Sequence, residues 1–132
     1  MLRKMSCVCG LFAALSGGLV FADIDLKDFD DDLMRDMDTA IKDLEPVLGA
    51  KNAVAASGDA ELLRDGFKQA SEYFAKKGGA DDAVKFAQNS EALTATVLKY
   101  IAANDFDAAA GAARALSKSC RTCHDIYKPL TK

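Results

Sequence analysis

Apolar residues return every three or four positions in four successive stretches, and the chain turns within a few residues between most of them. That spacing lays apolar side chains along one stripe of an α-helix. The first stretch, about Asp25 to Leu44, carries Leu26, Phe29, Leu33, Met37, Ala40, Ile41 and Leu44 on its stripe. Asp28, Asp30, Asp31, Asp32, Lys42 and Asp43 fall on the other side, most of them near the N-terminal end, where the helix dipole favours acids. Pro46 and Gly49 predict the way out. The stretch 47–56 fits either a short helical piece or a connection. A second helix is predicted over about Asp59 to Lys77, with Leu63, Phe67, Ala70 and Phe74 in line, Asp59 as N-cap and Gly78-Gly79 as the stop.

A third helix is predicted over about Asp82 to Ala103, capped by Asp81 or Asp82, with Phe86, Leu93, Val97, Tyr100 and Ile101 as its stripe. The fourth runs from Asp105 to about Lys128, with Pro129 ending it. Phe106, Ala109, Ala113, Leu116, Cys120, Cys123 and Tyr127 share its face. No stretch alternates with the period of two that a strand needs. The length of 132 residues suits one domain. Four helices, each roughly 30 Å long, joined by short connections, predict an all-α fold, an antiparallel four-helix bundle.

The first 22 residues read as an address rather than as structure. Arg3 and Lys4 give a basic start, an apolar run extends from Cys9 to Val20, and Val20-Phe21-Ala22 resembles a cleavage site. The run is shorter than the roughly 20 apolar residues that a spanning helix requires. The expectation is therefore a signal peptide over 1–22, removed on export to the periplasm, and a single domain over 23–132. Cys7 and Cys9 would leave with the leader. Without Arg3 and Lys4 the chain holds 15 basic against 20 acidic residues, a formal charge of −5. That balance argues against nucleic acid as a partner. It permits a positively charged docking partner, but a plain solvated acidic surface is the simpler account.

Chemistry concentrates in Cys120-Arg121-Thr122-Cys123-His124, a C-x-x-C-H run. This is the attachment signature of c-type haem. Each thiol adds across one vinyl group to form a thioether, and the adjacent imidazole lies under the iron. On a helix, positions 120, 123 and 124 share a face, so all three can meet one flat macrocycle. Three other readings stand beside it. A thioredoxin-type redox pair belongs near a βαβ pattern, and no strands are predicted here. A zinc site normally takes four ligands, and after the leader only two Cys and one His remain. A plain disulfide would have to close a four-residue loop within a helix.

His124 is the only histidine, so two histidines from one chain cannot hold the iron. The iron is then five-coordinate or takes a thioether. Met34 and Met37 are the two methionines beyond the leader, three residues apart on the first helix. Met37 lies near the centre of the apolar stripe, where a methionine is more often core filler. Met34 lies at its edge, near Ile41, and a haem lodged between the first and fourth helices would account for it. Spacing alone leaves both open.

With these residues in place, the chain resembles the class II cytochromes c, the family of cytochrome c prime and its low-spin relatives of the cytochrome c556 type. The resemblance rests on Cys120, Cys123 and His124, on Tyr127-Lys128 after them, and on Leu33-Met34-Arg35, which is similar to the Leu-Met-Lys stretch of the low-spin members. It implies one covalent haem c on Cys120 and Cys123, His124 as proximal iron ligand and Met34 as distal ligand. The first helix is also similar to that of cytochrome b562, where Met34 again falls on the ligand and Met37 on a core leucine. Asp30 stands where many cytochromes c prime carry a basic residue, and Lys128 where an Arg is frequent. Both departures speak against a cytochrome c prime type gas-binding site and leave the low-spin reading standing. The implied function is a periplasmic electron carrier serving a redox partner protein, with a homodimer compatible. A five-coordinate haem binding nitric oxide or carbon monoxide is the alternative, and an enzyme such as a peroxidase lacks a second His as distal acid/base group.

Overall fold

The computed structural model describes residues 26–127. The expected leader, with Cys7 and Cys9, and the residues Lys128 and Pro129 lie outside that range. The described chain forms four helices, α1 (Asp31–Gly49), α2 (Ala53–Lys77), α3 (Asp81–Ala102) and α4 (Phe106–Tyr127). Each packs on the next in sequence, and α1 also packs on α4; among the described residues the backbones of the diagonal pairs stay apart. The residues 50–52, 78–80 and 103–105 make the connections. Links this short force successive helices to run antiparallel. The expected four-helix bundle is what forms. No described helix is long and apolar enough to cross a membrane.

The boundaries depart from expectation in ways that local chemistry explains. α1 begins at Asp31 rather than Asp25, because the Asp30 carboxylate accepts hydrogen bonds from the amides of Asp32 and Leu33, both at 3.0 Å. Leu26 to Asp30 form a turn ahead of it. Pro46 does not end α1. It lies inside the helix, and its own carbonyl accepts from Ala50 N at 2.9 Å. A proline so near the end removes one backbone bond but still allows a final turn.

α2 starts at Ala53, not at Asp59. Asn52 caps it, its side chain accepting from Ala55 N at 3.1 Å, and Ala56, on the added turns, is fully buried, as is Ala60 just beyond them. Asp59 is consequently mid-helix, where burial first and the Asp43 carboxylate second push its carboxyl above the ordinary value. Gly78 and Gly79 stop α2 as expected, with φ of 73° and 74°, a backbone that L side chains rarely adopt. Ala80, rather than an aspartate, holds the N-cap position of α3, without a side-chain cap. Asp105, read as the first residue of α4, instead stands just before it, its side chain accepting from Ala108 N at 3.1 Å.

The main core joins Met37, Ala40, Leu44 and Leu48 of α1 to Ala56, Ala60, Leu63 and Phe67 of α2. Val97 and Ile101 of α3 and Ala109, Ala113 and Leu116 of α4 complete it. Alanines on all four helices keep the interior narrow. A smaller cluster of Phe74, Ala80 and Ala83, flanked by Leu26, Tyr73, Val84 and Tyr127, closes one end.

Candidate functional site

That closed end gathers the beginning of α1, the end of α2, the beginning of α3 and the end of α4. The C-x-x-C-H run occupies the last two turns of α4, with Cys120, Cys123 and His124 all half-buried. Both cysteines are free thiols, and Cys120 packs against the main core. The plain disulfide is therefore not what this structure contains. Burial pushes the Cys120 thiol up to about 11, with the Asp38 carboxylate adding to the effect. Burial, then Cys120 and Asp82, does the same for Cys123, again to about 11. The carbonyl end of a helix further disfavours a thiolate. A thioredoxin-type nucleophile needs the reverse, a lowered thiol pKa at a helix N-terminus. These are neutral, partly sheltered thiols on a helix face.

The pairing of α1 with α4 sets the level of the methionines. Arg114 Nη1 meets Glu45 Oε1 at 3.2 Å across the two antiparallel helices. About three turns back along α1 from Glu45 lies Met34, and about three turns on along α4 from Arg114 lies His124. The two residues thus stand at the same level of the bundle. Met34 is half-buried at the rim of the core. Met37 is 5% exposed and committed to another helix. A Cβ placed on Gly66 of α2 would fall 2.8 Å from Met37 Cγ and 2.9 Å from its Cε and would overlap its Sδ. The Met37 thioether fills the notch that this glycine leaves.

Around the C-x-x-C-H turn lies an aromatic cap that sequence reading did not assemble. Tyr127 packs on Phe74 with ring centroids 5.5 Å apart, and Phe74 meets Tyr73 edge-on at 5.3 Å. Phe29, in the turn before α1, meets Tyr73 edge-on at 4.7 Å. Each tyrosine donates to a carboxylate. The Tyr127 hydroxyl makes a short hydrogen bond to Asp82 of α3, and the Tyr73 hydroxyl donates to Asp28 at 2.8 Å. Lys77 Nζ donates to Asp28 at 2.6 Å and to the Tyr73 oxygen at 2.9 Å. The Lys77 and Tyr73 hydrogen bonds hold the Asp28 carboxyl down at about 2, while burial and the Asp82 carboxylate push Tyr127 up to about 12. Tyr127 was legible as part of a motif and of the apolar face of α4. Asp28, Tyr73, Lys77 and Asp82 carried no signal, because their partners lie 45 or 49 residues away in sequence.

The residue types present fit a covalently held haem. Two reduced thiols three apart and a histidine beside the second share one face, and a thioether stands level with that histidine on the facing helix. Among the described residues no three of His, Cys, Asp and Glu converge closely enough to hold a metal between them. A haem does not require such convergence, because its sulfur bonds form at the rim of the macrocycle and the iron takes one ligand from this face. No family model matches the chain, and no curated protein or solved structure is similar to it at a significant level.

Proposed function

We propose that this protein is an exported single-haem c-type cytochrome that carries electrons. The observation that carries the reading is the half-buried face of Cys120, Cys123 and His124, level with Met34 across the α1–α4 pair. In this reading Cys120 and Cys123 hold the haem through thioethers, His124 ligates the iron from α4 and Met34 ligates it from α1. The haem supplies a site for one electron.

The chain's own residues set the conditions under which that electron moves. His124 and Met34 would each supply a ligand to the haem iron, which would raise its potential and leave no vacancy for substrate. The aromatic cap closes the end of the bundle beside the bonded face. The carboxylates near the cap, among them Asp28, Asp30, Asp31, Asp32 and Asp82, suit a redox partner with a basic surface. The test is the optical spectrum of protein exported by a bacterium able to attach haem. A low-spin spectrum with a sulfur-to-iron band in the wild type, lost in Met34→Ala, is the expected result. A high-spin wild-type spectrum would replace the carrier by a gas-binding haem protein.

A further inference from the structure

Met34 is the one member of the candidate site that α4 does not carry. Cys120, Cys123 and His124 stand on the last two turns of a single helix and keep their spacing whatever the rest of the bundle does. Met34 reaches their level only if the beginning of α1 is held in place. That beginning is lightly seated. Met37 is the first buried residue of α1, while Leu33 and Met34 pack on the core from its edge. Arg35 pairs with Asp32 of its own helix at 2.9 Å, and Glu45 meets Arg114 of α4 only about three turns further along. A first helical turn seated at its edge opens more readily than the rest of its helix.

The turn ahead of α1 supplies a hold. Asp28 reaches across to α2, where one carboxylate oxygen accepts from the Tyr73 hydroxyl at 2.8 Å and from Lys77 Nζ at 2.6 Å. Phe29 meets Tyr73 edge-on at 4.7 Å and lies nearly parallel to Phe74, with ring centroids 6.3 Å apart. Asp30 follows as the cap of α1, and its carbonyl accepts from the Met34 amide at 3.2 Å. Position thus passes from α2 through three consecutive residues and one backbone hydrogen bond to Met34. Phe74 also packs on Tyr127 at the end of α4. The start of α1 and the end of α4 therefore rest on the same ring.

We propose that Asp28 is a positioning residue that holds Met34 level with His124, with Tyr73 and Lys77 of α2 as its footing. What Met34 does there rests on the haem reading above; where it is held does not. An exposed ion pair of Asp28 with Lys77 alone contributes little. Tyr73 adds a second donor to the same oxygen and an aromatic seat for Phe29, so the three residues act as a network. In the haem reading, loosening this network leaves the bonds to Cys120, Cys123 and His124 intact and weakens the ligation by Met34 alone.

The test compares wild type with Asp28→Asn, Tyr73→Phe and Asp28→Glu, and with Asn52→Ala, which weakens α2 at its other end. The Asp28 side chain is 71% exposed, so replacing it removes no core packing. Each holoprotein is heated, and loss of the sulfur-to-iron band is followed beside loss of helix by circular dichroism. In Asp28→Asn and Tyr73→Phe the band is expected to disappear about 5 °C earlier, relative to helix melting, than in wild type. Asp28→Glu and Asn52→Ala are expected to keep the wild-type interval. An unchanged interval in Asp28→Asn, or an equal widening in Asn52→Ala, overturns the positioning role. Hydrogen exchange at the Met34 amide needs no haem. It is expected to quicken about fivefold in Asp28→Asn, with no change in Asn52→Ala. If intact mass shows a bare chain, or the wild type lacks the band, this exchange alone supports or overturns the hold by Asp28, while the haem reading falls separately.

Discussion

Met34 and Met37 show how much a position three residues along a helix can decide. Both are thioethers on α1, but the Met37 sulfur is spent on the notch at Gly66, whereas Met34 stands at the core's edge, level with His124. Met37→Ala should therefore cost about 2–5 kcal/mol in denaturant unfolding and leave the optical spectrum unchanged. Loss of the low-spin spectrum in Met37→Ala would transfer the ligand role to it. Asp28 offers a second test at the same scale. Its carboxyl is held at about 2 in the folded chain against an ordinary value of 3.8, so the folded state binds this proton less tightly than the unfolded one. The stabilisation it brings is present above pH 4 and is lost as the pH falls through 2. The difference in denaturation midpoint between wild type and Asp28→Asn should be steady near neutrality and close across that acid window. A difference that persists unchanged below pH 2 would show that the Lys77 and Tyr73 contacts do not set it.

At the scale of the elements, the start of α2 is the instructive case. Ser57-Gly58 reads as a break and Asp59 as a cap, yet the helix runs through them from Ala53. A glycine weakens a helix by only about 1 kcal/mol relative to alanine, and burial of Ala56 and Ala60 against neighbouring helices outweighs that. Asn52, not Asp59, does the capping, so Asn52→Ala should lower stability by about 0.5–2 kcal/mol in thermal or urea unfolding, and Asp59→Ala should not lower it by this route. Equal loss in both would mean the extra turns are not held by the cap. Pro46 teaches the same lesson at the end of α1. Local signals place helices well and their ends poorly, because tertiary burial settles the last turn.

For the whole molecule, the bundle was readable because apolar residues recur at helical spacing in every stretch, and Leu63, Phe67, Ala70 and Phe74, read from spacing alone, are all buried. On α3 the buried line runs through Ala83, Ala87, Ser90, Thr94, Val97 and Ile101, so Phe86, Leu93 and Tyr100 of the stripe read there are only half-buried. The C-x-x-C-H face was readable because its residues are neighbours in sequence. The aromatic cap was not, since it depends on which helix ends meet, and Asp28 with Tyr73 or Asp82 with Tyr127 become partners only after folding. In the proposed reading, a haem bonded to α4 would unite the helix ends, the neutral thiols and the level thioether. Intact-mass spectrometry of the protein exported by a bacterium with haem-attachment machinery tests that most directly. The account predicts the polypeptide plus one haem, resistant to acid-acetone extraction and lost when Cys120 and Cys123 are both changed to Ser. A colourless protein with the mass of the bare chain would contradict it.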